Sequence, residues 1–498
     1  MRGWPSQCRS KKQQPSDEVM KTPTPIPEEY DVLVLGSGAA GKLVSWTLAK
    51  KGMKTAVIER RYVGGSCPNI ACLPSKNVIH SAKIASYFRR SEEFGITKDN
   101  WKINMSGVRE RKRRMVAGLV QMHLDLYQKS GAELIMGSGR FVEPKTLEVI
   151  PADGAVRLLR GQHVVINTGT RATIDLTPGL AEAKPLTHVE TLELDRIPEH
   201  LLVLGGGYVG LELSQAMSRF GSRVTLIERN PTLVHREDQD ISDAMHELFE
   251  DEGIEVLTNT SLTRVEGKSG QAVRVHVKRD GSETVLEGSH LLVATGRTPN
   301  TAGIGLGLAG VETTDRGYVK VNERLETTAP EVWAAGDCAG SPHFTHIAEN
   351  DFRIVHDNIL GGHRVTTGRQ VPFCMFTDPE FARIGLSEKE AKARGISYRL
   401  AKCPMAAVLR TRTLSEPRGF MKALIDTSSD RILGFTVFGV EAGEIMASVQ
   451  VAMIAGLPYT ALRDAIFTHP TLLEGLNSVF ANVPPAPVAV SAAEVSSA

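Results

Sequence analysis

The most regular feature of the chain is an apolar run that gives way to glycine and then to a helical rhythm. Tyr30 to Gly36 (YDVLVLG) is apolar over a strand's length and predicts a buried parallel strand. The glycines that follow open a turn. LVSWTLAKKG spaces its apolar positions as a helix does, and TAVIER is a second apolar run ending near Glu59. The same succession returns later. LLVLG runs into Gly205, Gly207 and Gly210, LELSQAMSRFG continues with helical spacing, and VTLIER ends near Glu228. In both copies the acidic residue stands eighteen positions after the third glycine. Each copy closes on a matching strand and turn, VVINTGTRA around Gly169 and LLVATGRTPN around Gly296. The pattern predicts two βαβ units, the first lengthened by an insert. That insert carries a long helical stretch, SGVRERKRRMVAGLVQMHLDLYQKSG. After Gly336 and Asp337 the rhythm changes. From about Pro372, short strands (CMFTDPEFARIGLS, MKALIDTSS, ILGFTVFG) mix with helices and predict a separate α+β domain.

With 498 residues the chain has room for about three domains of roughly 150 residues. Lys and Arg number 58 against 57 Asp and Glu, which removes any bulk electrostatic case for nucleic acid or an anionic membrane. The basic run from Arg109 to Arg114 is therefore expected to be a solvated helix face. No apolar run approaches the roughly 18 residues that a membrane span needs. The N-terminus is polar and Pro-rich without an apolar h-region, so it is not a secretory signal. Residues 1–29 read as a disordered tail in which Met1 to Val19 are expected to be dispensable, with Met20 a conventional lead-in. Residues 484–498 read as a second tail, biased to Pro, Ala and Ser. The six cysteines, Cys8, Cys67, Cys72, Cys338, Cys374 and Cys403, are too few to staple a secreted scaffold. They fit a reducing, cytoplasmic compartment.

A lone GxGxxG is a weak signal. Here Gly36, Gly38 and Gly41, and again Gly205, Gly207 and Gly210, follow a strand, open a helix and precede an acidic residue by about 20 positions, the context of a dinucleotide fingerprint. Gly38 and Gly207 let the backbone approach a pyrophosphate, which the helix N-terminus favours. Glu59 and Glu228 are placed to accept hydrogen bonds from a ribose. Two units imply two dinucleotides and electron transfer between them. Cys67 and Cys72, in GGSCPNIACLPSK, sit near the start of a helix. They read as buried free thiols, a metal site or a redox pair. No further ligands stand nearby for a metal, whereas a helix N-terminus lowers a thiol pKa and the spacing permits a disulfide.

On these residues the chain resembles the class I FAD-dependent pyridine nucleotide–disulfide oxidoreductases, the family of dihydrolipoamide dehydrogenase, glutathione reductase and mercuric reductase. The resemblance runs from roughly Tyr30 to Val483. It implies an α/β fold with two Rossmann-like dinucleotide-binding domains plus a C-terminal α+β interface domain, assembled as a homodimer. The expected divisions are FAD-binding over 30–175 and 301–368, NAD(P)-binding over 176–300, and the interface over 369–483. The resemblance assigns FAD to Gly36, Gly38, Ala39, Ala40, Gly41, Glu59, Gly65, Ser66, Lys76, Gly139, Thr168, Gly169, Ala348 and the Asp337 of VWAAGDCAG. It assigns the nicotinamide coenzyme to Gly205, Gly207, Tyr208, Gly210, Glu228, Val265 and Gly296. Tyr208 matches a tyrosine that covers the flavin until the nicotinamide arrives, and Glu212 matches the acid paired with Lys76. Cys67 becomes the interchange thiol and Cys72 the thiol beside the flavin. THPTLLEGL matches HPTxxE, which makes His469 an acid/base from the opposite subunit and Glu474 its orienting carboxylate.

Departures keep the substrate open. Pro68 follows the first cysteine and Ala71 precedes the second, where the family often has an apolar residue and glycine. Thr468 stands two before the proline of HPT, and the C-terminal cysteine pair of mercuric reductases is missing. The texture is similar to mercuric-reductase-like and reactive-chlorine-resistance flavoproteins. The implied reaction passes a hydride from NAD(P)H to FAD, then to the Cys67–Cys72 disulfide, then to a small-molecule disulfide, another small oxidant or a soft metal ion. Dihydrolipoamide dehydrogenase, a mercuric reductase without its cysteine relay, and a flavin-bound redox sensor are the alternatives. The HPTxxE pair counts against the sensor, which needs no acid/base. A carboxylate at Glu228 favours the ribose 2′-OH of NADH, while Arg229, His235 and Arg236 leave NADPH open. No resident metal, nucleic acid or membrane is expected.

Overall fold

The computed structural model describes residues 26–487. The expectations for Met1–Val19 and for residues 488–498 lie outside the described residues. The first apolar run forms β1 (Glu28–Leu35), and Val32, Leu33 and Val34 are fully buried, as the middle of a covered parallel sheet demands. Helix α1 (Ala39–Lys50) leads to β2 (Thr55–Glu59), which pairs in parallel with β1. The insert builds short α2 (Ser66–Asn69), α3 (Cys72–Arg89) and α4 (Met105–Ser130). Asn104 caps α4 by accepting from the Gly107 N–H, and Gly131 ends it at φ 77°. Strands β3 (Glu133–Glu143), β4 (Thr146–Pro151) and β5 (Arg157–Ile166) complete this sheet, with β5 returning beside β1.

Short β6 (Thr170–Ala172) leads to the second unit. There α5 (His188–Thr191), β7 (His200–Leu204), α6 (Tyr208–Phe220), β8 (Arg223–Ile227), α7 (Gln239–Asp251) and β9 (Glu255–Leu257) follow in turn. An antiparallel sheet of β10 (Thr260–Lys268), β11 (Ala272–Arg279) and β12 (Ser282–Gly288) intervenes, and β13 (His290–Val293) then joins β7 in parallel. The alternating valines of β10 and β11 pack on Leu204, Ile227 and Leu291. The two matching turns then meet, because β14 (Arg297–Pro299) pairs antiparallel with β6. Strand β15 (Val332–Ala334) rejoins the first sheet beside β5, and α8 (Thr345–Ile359) packs on α1. The first unit is thus assembled from two separated stretches of sequence.

The C-terminal domain is an antiparallel sheet of β16 (Phe373–Met375), β17 (Glu380–Gly385), β18 (Tyr398–Pro404), β19 (Phe420–Asp426) and β20 (Ile432–Gly439), in the order 16-17-20-19-18. Ion pairs fasten it to the second unit. The ammonium of fully buried Lys422 lies 2.7 Å from Asp238, 2.9 Å from Asp240 and 3.0 Å from Glu388. Arg219 meets Asp378 at 2.5 Å and Arg383 meets Glu237 at 3.0 Å. The three carboxylates around Lys422 converge closely enough to hold a cation, and that cation is the lysine itself.

The basic run on α4 departs from expectation. Lys112 is buried against the Leu192 carbonyl and Glu193, while Arg109 and Arg113 pair with Asp195 and Glu193. Lys112 thus docks the insert helix onto the approach to β7, while Arg111, Arg113 and Arg114 keep an exposed face. Among the described residues no helix is long and apolar enough to cross a membrane.

Candidate active site

The first glycine turn is walled by one side chain. Asn167 Oδ1 accepts from the Gly41 N–H at 3.0 Å, and its Nδ2 donates to the Ala335 carbonyl at 2.7 Å. A Cβ on Gly38 would lie 2.5 Å from Asn167 Oδ1. Gly36 holds φ 101° with its α-carbon pressed against the Asn167 backbone. Ala39 and Ala40 open α1 without a side-chain cap from Gly38, so their N–H groups remain available to an anion while the Gly41 N–H is held by Asn167. Buried Glu59, at the end of β2, accepts from Ser37 N and Oγ at 2.9 and 2.8 Å, and from Arg61 N and Tyr62 N at 2.8 and 2.9 Å. Gly65, at φ 80°, brings Ser66 and the cysteine turn onto this loop, since a Cβ there would lie 2.5 Å from Gly38 Cα. Thr168 Oγ1 is buried without a partner, beside Gly169. Asp337 accepts from Thr170 Oγ1 at 2.7 Å, and Ala348 packs near Gly336. An uncapped helix start, a carboxylate at the strand end and an orphaned hydroxyl within the cradle fit the pyrophosphate, ribose and ring system of FAD. Gly139 lies behind the cradle, against the residues that precede Gly36 and Glu59. It sits within β3, where a Cβ would meet Leu35 and Ile58 at 2.8 and 3.1 Å, so packing of the sheet explains its size.

Ser66 and Cys67 start α2, and Cys72 is the first residue of α3. Cys72 Sγ lies 3.4 Å from Thr345 Oγ1 at the start of α8. The Cys67 thiol bonds to Cys72 and holds its pKa down against burial, with the Thr345 hydroxyl and the Lys76 charge adding to the effect. The same bond, burial and the charge on Cys72 push Cys67 up. The pair is thus built to hold one thiolate, on Cys72. One turn on, Lys76 Nζ meets Glu212 Oε2 of α6 at 2.6 Å and lies 4.7 Å from the centre of the Phe376 ring. Glu212 Oε1 accepts from the Phe376 N–H at 2.9 Å. This ion pair joins the thiol helix to both the second unit and the C-terminal domain.

In the second turn, Gly205 holds φ 107° with its α-carbon against the Ala294 carbonyl, and Gly210 packs on the Gly205 carbonyl. Gly207 has no neighbour within 4 Å of its Cβ position. Glu228 accepts from Gly206 N at 2.6 Å and from Asn230 N and Nδ2 at 2.7 and 2.5 Å. Tyr208 opens α6 and donates to Glu237 at 3.3 Å. Gly207, Tyr208, Ala294, Gly296 and Arg297 line a cleft. Val265 is not brought there. Its side chain is buried in the apolar cluster between β10–β11 and the parallel sheet.

His469 Nδ1 lies 3.0 and 3.2 Å from the Glu474 oxygens. The Thr471 N–H and then His469 hold Glu474 below the usual carboxylate range. His469 is 63% exposed, and among the described residues Glu474 is its hydrogen-bond partner. Ile466, three residues earlier, is fully exposed, as is most of Val451 and Ile454 on the neighbouring helix. Within one chain the histidine and the cysteines are not brought together. Residues that the motifs did not single out are Asn167, Ser37, Thr345 and Arg297. Asn167 had a signal, because its counterpart in the second copy of the turn is Ala294.

The model of the pyridine nucleotide-disulphide oxidoreductase family matches residues 30–351, and that of its dimerisation domain matches residues 371–479. The probable pyridine nucleotide-disulfide oxidoreductase RclA of Escherichia coli (strain K12) is 35% identical over 461 residues, covering 91% of this chain and 99% of that protein. Mercuric reductase of Staphylococcus aureus is 32% identical over 450 residues, covering 90% of this chain and 81% of that protein. A solved structure, the Cu(II) complex of the HOCl-induced flavoprotein disulfide reductase RclA from Escherichia coli, superposes with TM-score 0.83 at 33% identity, over 92% of this chain and 100% of that one.

Proposed function

The chain belongs to the pyridine nucleotide-disulphide oxidoreductase family, and from that premise we propose how its own residues divide the work. It is a flavoprotein oxidoreductase using FAD and NAD(P)H, and its C-terminal domain is the family's dimerisation domain. Bound FAD supplies the two-electron step between reduced nicotinamide and a neighbouring disulfide. The first cradle holds it, with the α1 N-terminus at the pyrophosphate and Glu59 at the ribose. The second cradle takes NADH, because the Glu228 carboxylate accepts from a 2′-OH and repels a 2′-phosphate. Lys76 and Glu212 fix the helix that carries Cys72.

Two electrons and one proton open the Cys67–Cys72 disulfide to a Cys72 thiolate and a Cys67 thiol. His469 of the partner subunit takes the Cys67 proton, and Glu474 of the partner subunit orients the imidazole. The Cys67 thiolate attacks a substrate disulfide, and the leaving sulfur takes that proton back. Cys72 then attacks Cys67 Sγ, restoring the disulfide and releasing the second product as a thiolate, which takes a proton from solvent. The sum is NADH, a proton and a disulfide giving NAD⁺ and two thiols. The observation that carries this reading is the position of Cys72, against Thr345 and one turn from the Lys76–Glu212 pair.

Disulfides, other small oxidants and soft metal ions remain the substrate class, and the cytoplasm is the compartment that keeps these thiols in play. One relative is a mercuric reductase and another is solved as a Cu(II) complex. No cysteine stands between Cys403 and Ala498. A steady-state screen with NADH should show turnover with a disulfide or small oxidant, and weak turnover with easy inhibition by Hg(II). Sustained Hg(II)-dependent NADH oxidation in excess thiol would restore the mercuric-reductase reading. His469→Ala should slow the dithiol-to-substrate half roughly 10²–10⁴-fold and leave hydride entry untouched. A mixed dimer of His469→Ala and Cys67→Ser chains should regain one working site. A mixed dimer as inactive as both parents would sink the shared site.

A further inference from the structure

The cleft of the second unit has a polar end that none of these roles uses. Leu186 runs beside β13, its N–H donating to the Leu291 carbonyl at 2.7 Å and its carbonyl accepting from Val293 N at 2.8 Å. Thr187 and Glu190 then form a capping box that starts α5. Together these fix His188 beside the end of β13, where it lines the cleft with Gly207, Tyr208 and Arg297. His188 is 8% exposed, and its Nε2 is buried without any partner in the chain. Buried polar atoms are almost always paired, so an unpaired one beside a cleft marks a contact that a ligand completes.

The surroundings define the chemistry of that contact. Arg297 shares the wall, with Nε and Nη2 on Thr170 at 2.7 and 3.0 Å and Asp337 3.9 Å away. Burial, and then the Arg297 charge, push the His188 imidazole down to about 4. The ring is therefore neutral, with one nitrogen donating and the other accepting. A carboxamide, which carries both a carbonyl oxygen and an NH₂ group, complements Nε2 without a charge whether that nitrogen donates or accepts. A neutral ring also adds no repulsion to the cationic nicotinamide of NAD⁺.

We propose that His188 is a positioning residue for the coenzyme, its neutral imidazole hydrogen-bonding the nicotinamide carboxamide at the polar end of the cleft. The proposal rests on the second unit being the coenzyme site. NAD⁺ and ADP-ribose, which lacks the nicotinamide, separate the two. In calorimetric titrations of the FAD-loaded protein, His188→Leu should bind NAD⁺ about tenfold more weakly, the effect of one lost hydrogen bond, and ADP-ribose as before. His188→Asn, which keeps a donor and an acceptor, should regain most of the loss. The KM for NADH should rise in step while kcat changes little, and NAD⁺ affinity should stay flat from about pH 6 to 9, where the imidazole is uncharged. Unchanged NAD⁺ affinity in His188→Leu, or equal losses for NAD⁺ and ADP-ribose, would overturn the proposal. Wild-type protein that bound neither ligand would overturn the coenzyme reading beneath it.

Discussion

The two dinucleotide units repeat one another through strand, glycine turn, helix and acidic strand end, and part behind the second glycine. Both third glycines, Gly41 and Gly210, press on the carbonyl of the first glycine, Gly36 or Gly205. At the second glycine they differ. Gly38 is enclosed by Asn167 and by the turn at Gly65, whereas Gly207 faces open space. One cause is Asn167 in VVINTGT against Ala294 in LLVATGR, and the other is the turn at Gly65 that leads into the cysteine insert. Asn167 ties the loop to the Gly41 N–H and the Ala335 carbonyl, and Ala294 has no polar side-chain atom with which to do so. The same fingerprint thus yields a closed cradle that suits a resident cofactor and an open one that suits a coenzyme exchanged each turnover. A shared motif fixes where a pyrophosphate lies, and the residue behind it sets how tightly the loop is held.

The largest effects should come where the units agree. In Gly41→Ala and Gly210→Ala the new methyl meets a backbone oxygen that cannot move alone, at a cost of about 3 kcal/mol or more. The first should lose FAD on gel filtration, read by flavin absorbance, and the second should lose NAD⁺ affinity by about 100-fold, read by titration. Gly38→Ala and Gly207→Ala test the difference. The first displaces Asn167 and should weaken FAD retention about 10–100-fold, from about 1–3 kcal/mol of overpacking. The second should keep its FAD and its melting temperature and move only the KM for NADH. Equal FAD loss in both would break the comparison. Asn167→Ala leaves the Gly41 N–H unpaired, at about 1–3 kcal/mol, and should lower the melting temperature of the FAD-loaded protein. Smallest of all, Glu228→Ala should narrow the preference for NADH over NADPH about tenfold, through loss of the 2′-OH contact. A wild-type kcat/KM that is higher with NADPH would overturn that preference outright.

The parts of the molecule legible in the sequence are those whose signal is local. A strand, a glycine turn and an acidic strand end lie within thirty residues, so both cradles could be read, as could the cysteine helix and the His469–Glu474 pair. What escaped depends on residues brought from far away. Asn167 acts on Gly41 across 126 positions, and Thr345 reaches Cys72 across 273. The sheet of β10 to β12 left no mark beyond short alternating runs, and Val265 is one of its core valines. The basic run on α4 has the composition of a solvated face and keeps one at Arg111, Arg113 and Arg114, yet Glu193 and the Leu192 carbonyl draw Lys112 into the protein. Composition reports charge, but not what stands opposite.

Lys422 has a mechanical consequence. A swing of the coenzyme unit about the C-terminal domain would strip one ammonium from Asp238 and Asp240 together, and would also part Arg219 from Asp378 and Arg383 from Glu237. Deleting one partner of such a buried set costs about 3–5 kcal/mol, because the charges left behind are uncompensated, so Lys422 holds Asp238 and Asp240 to the C-terminal domain at once. The joint behaves as a weld. On the proposed reading of the second unit as the coenzyme site, the part left to move alone is the Tyr208 side chain, whose hydroxyl donates to Glu237 at 3.3 Å. Admission becomes a matter of one ring turning on its bond within a rigid frame.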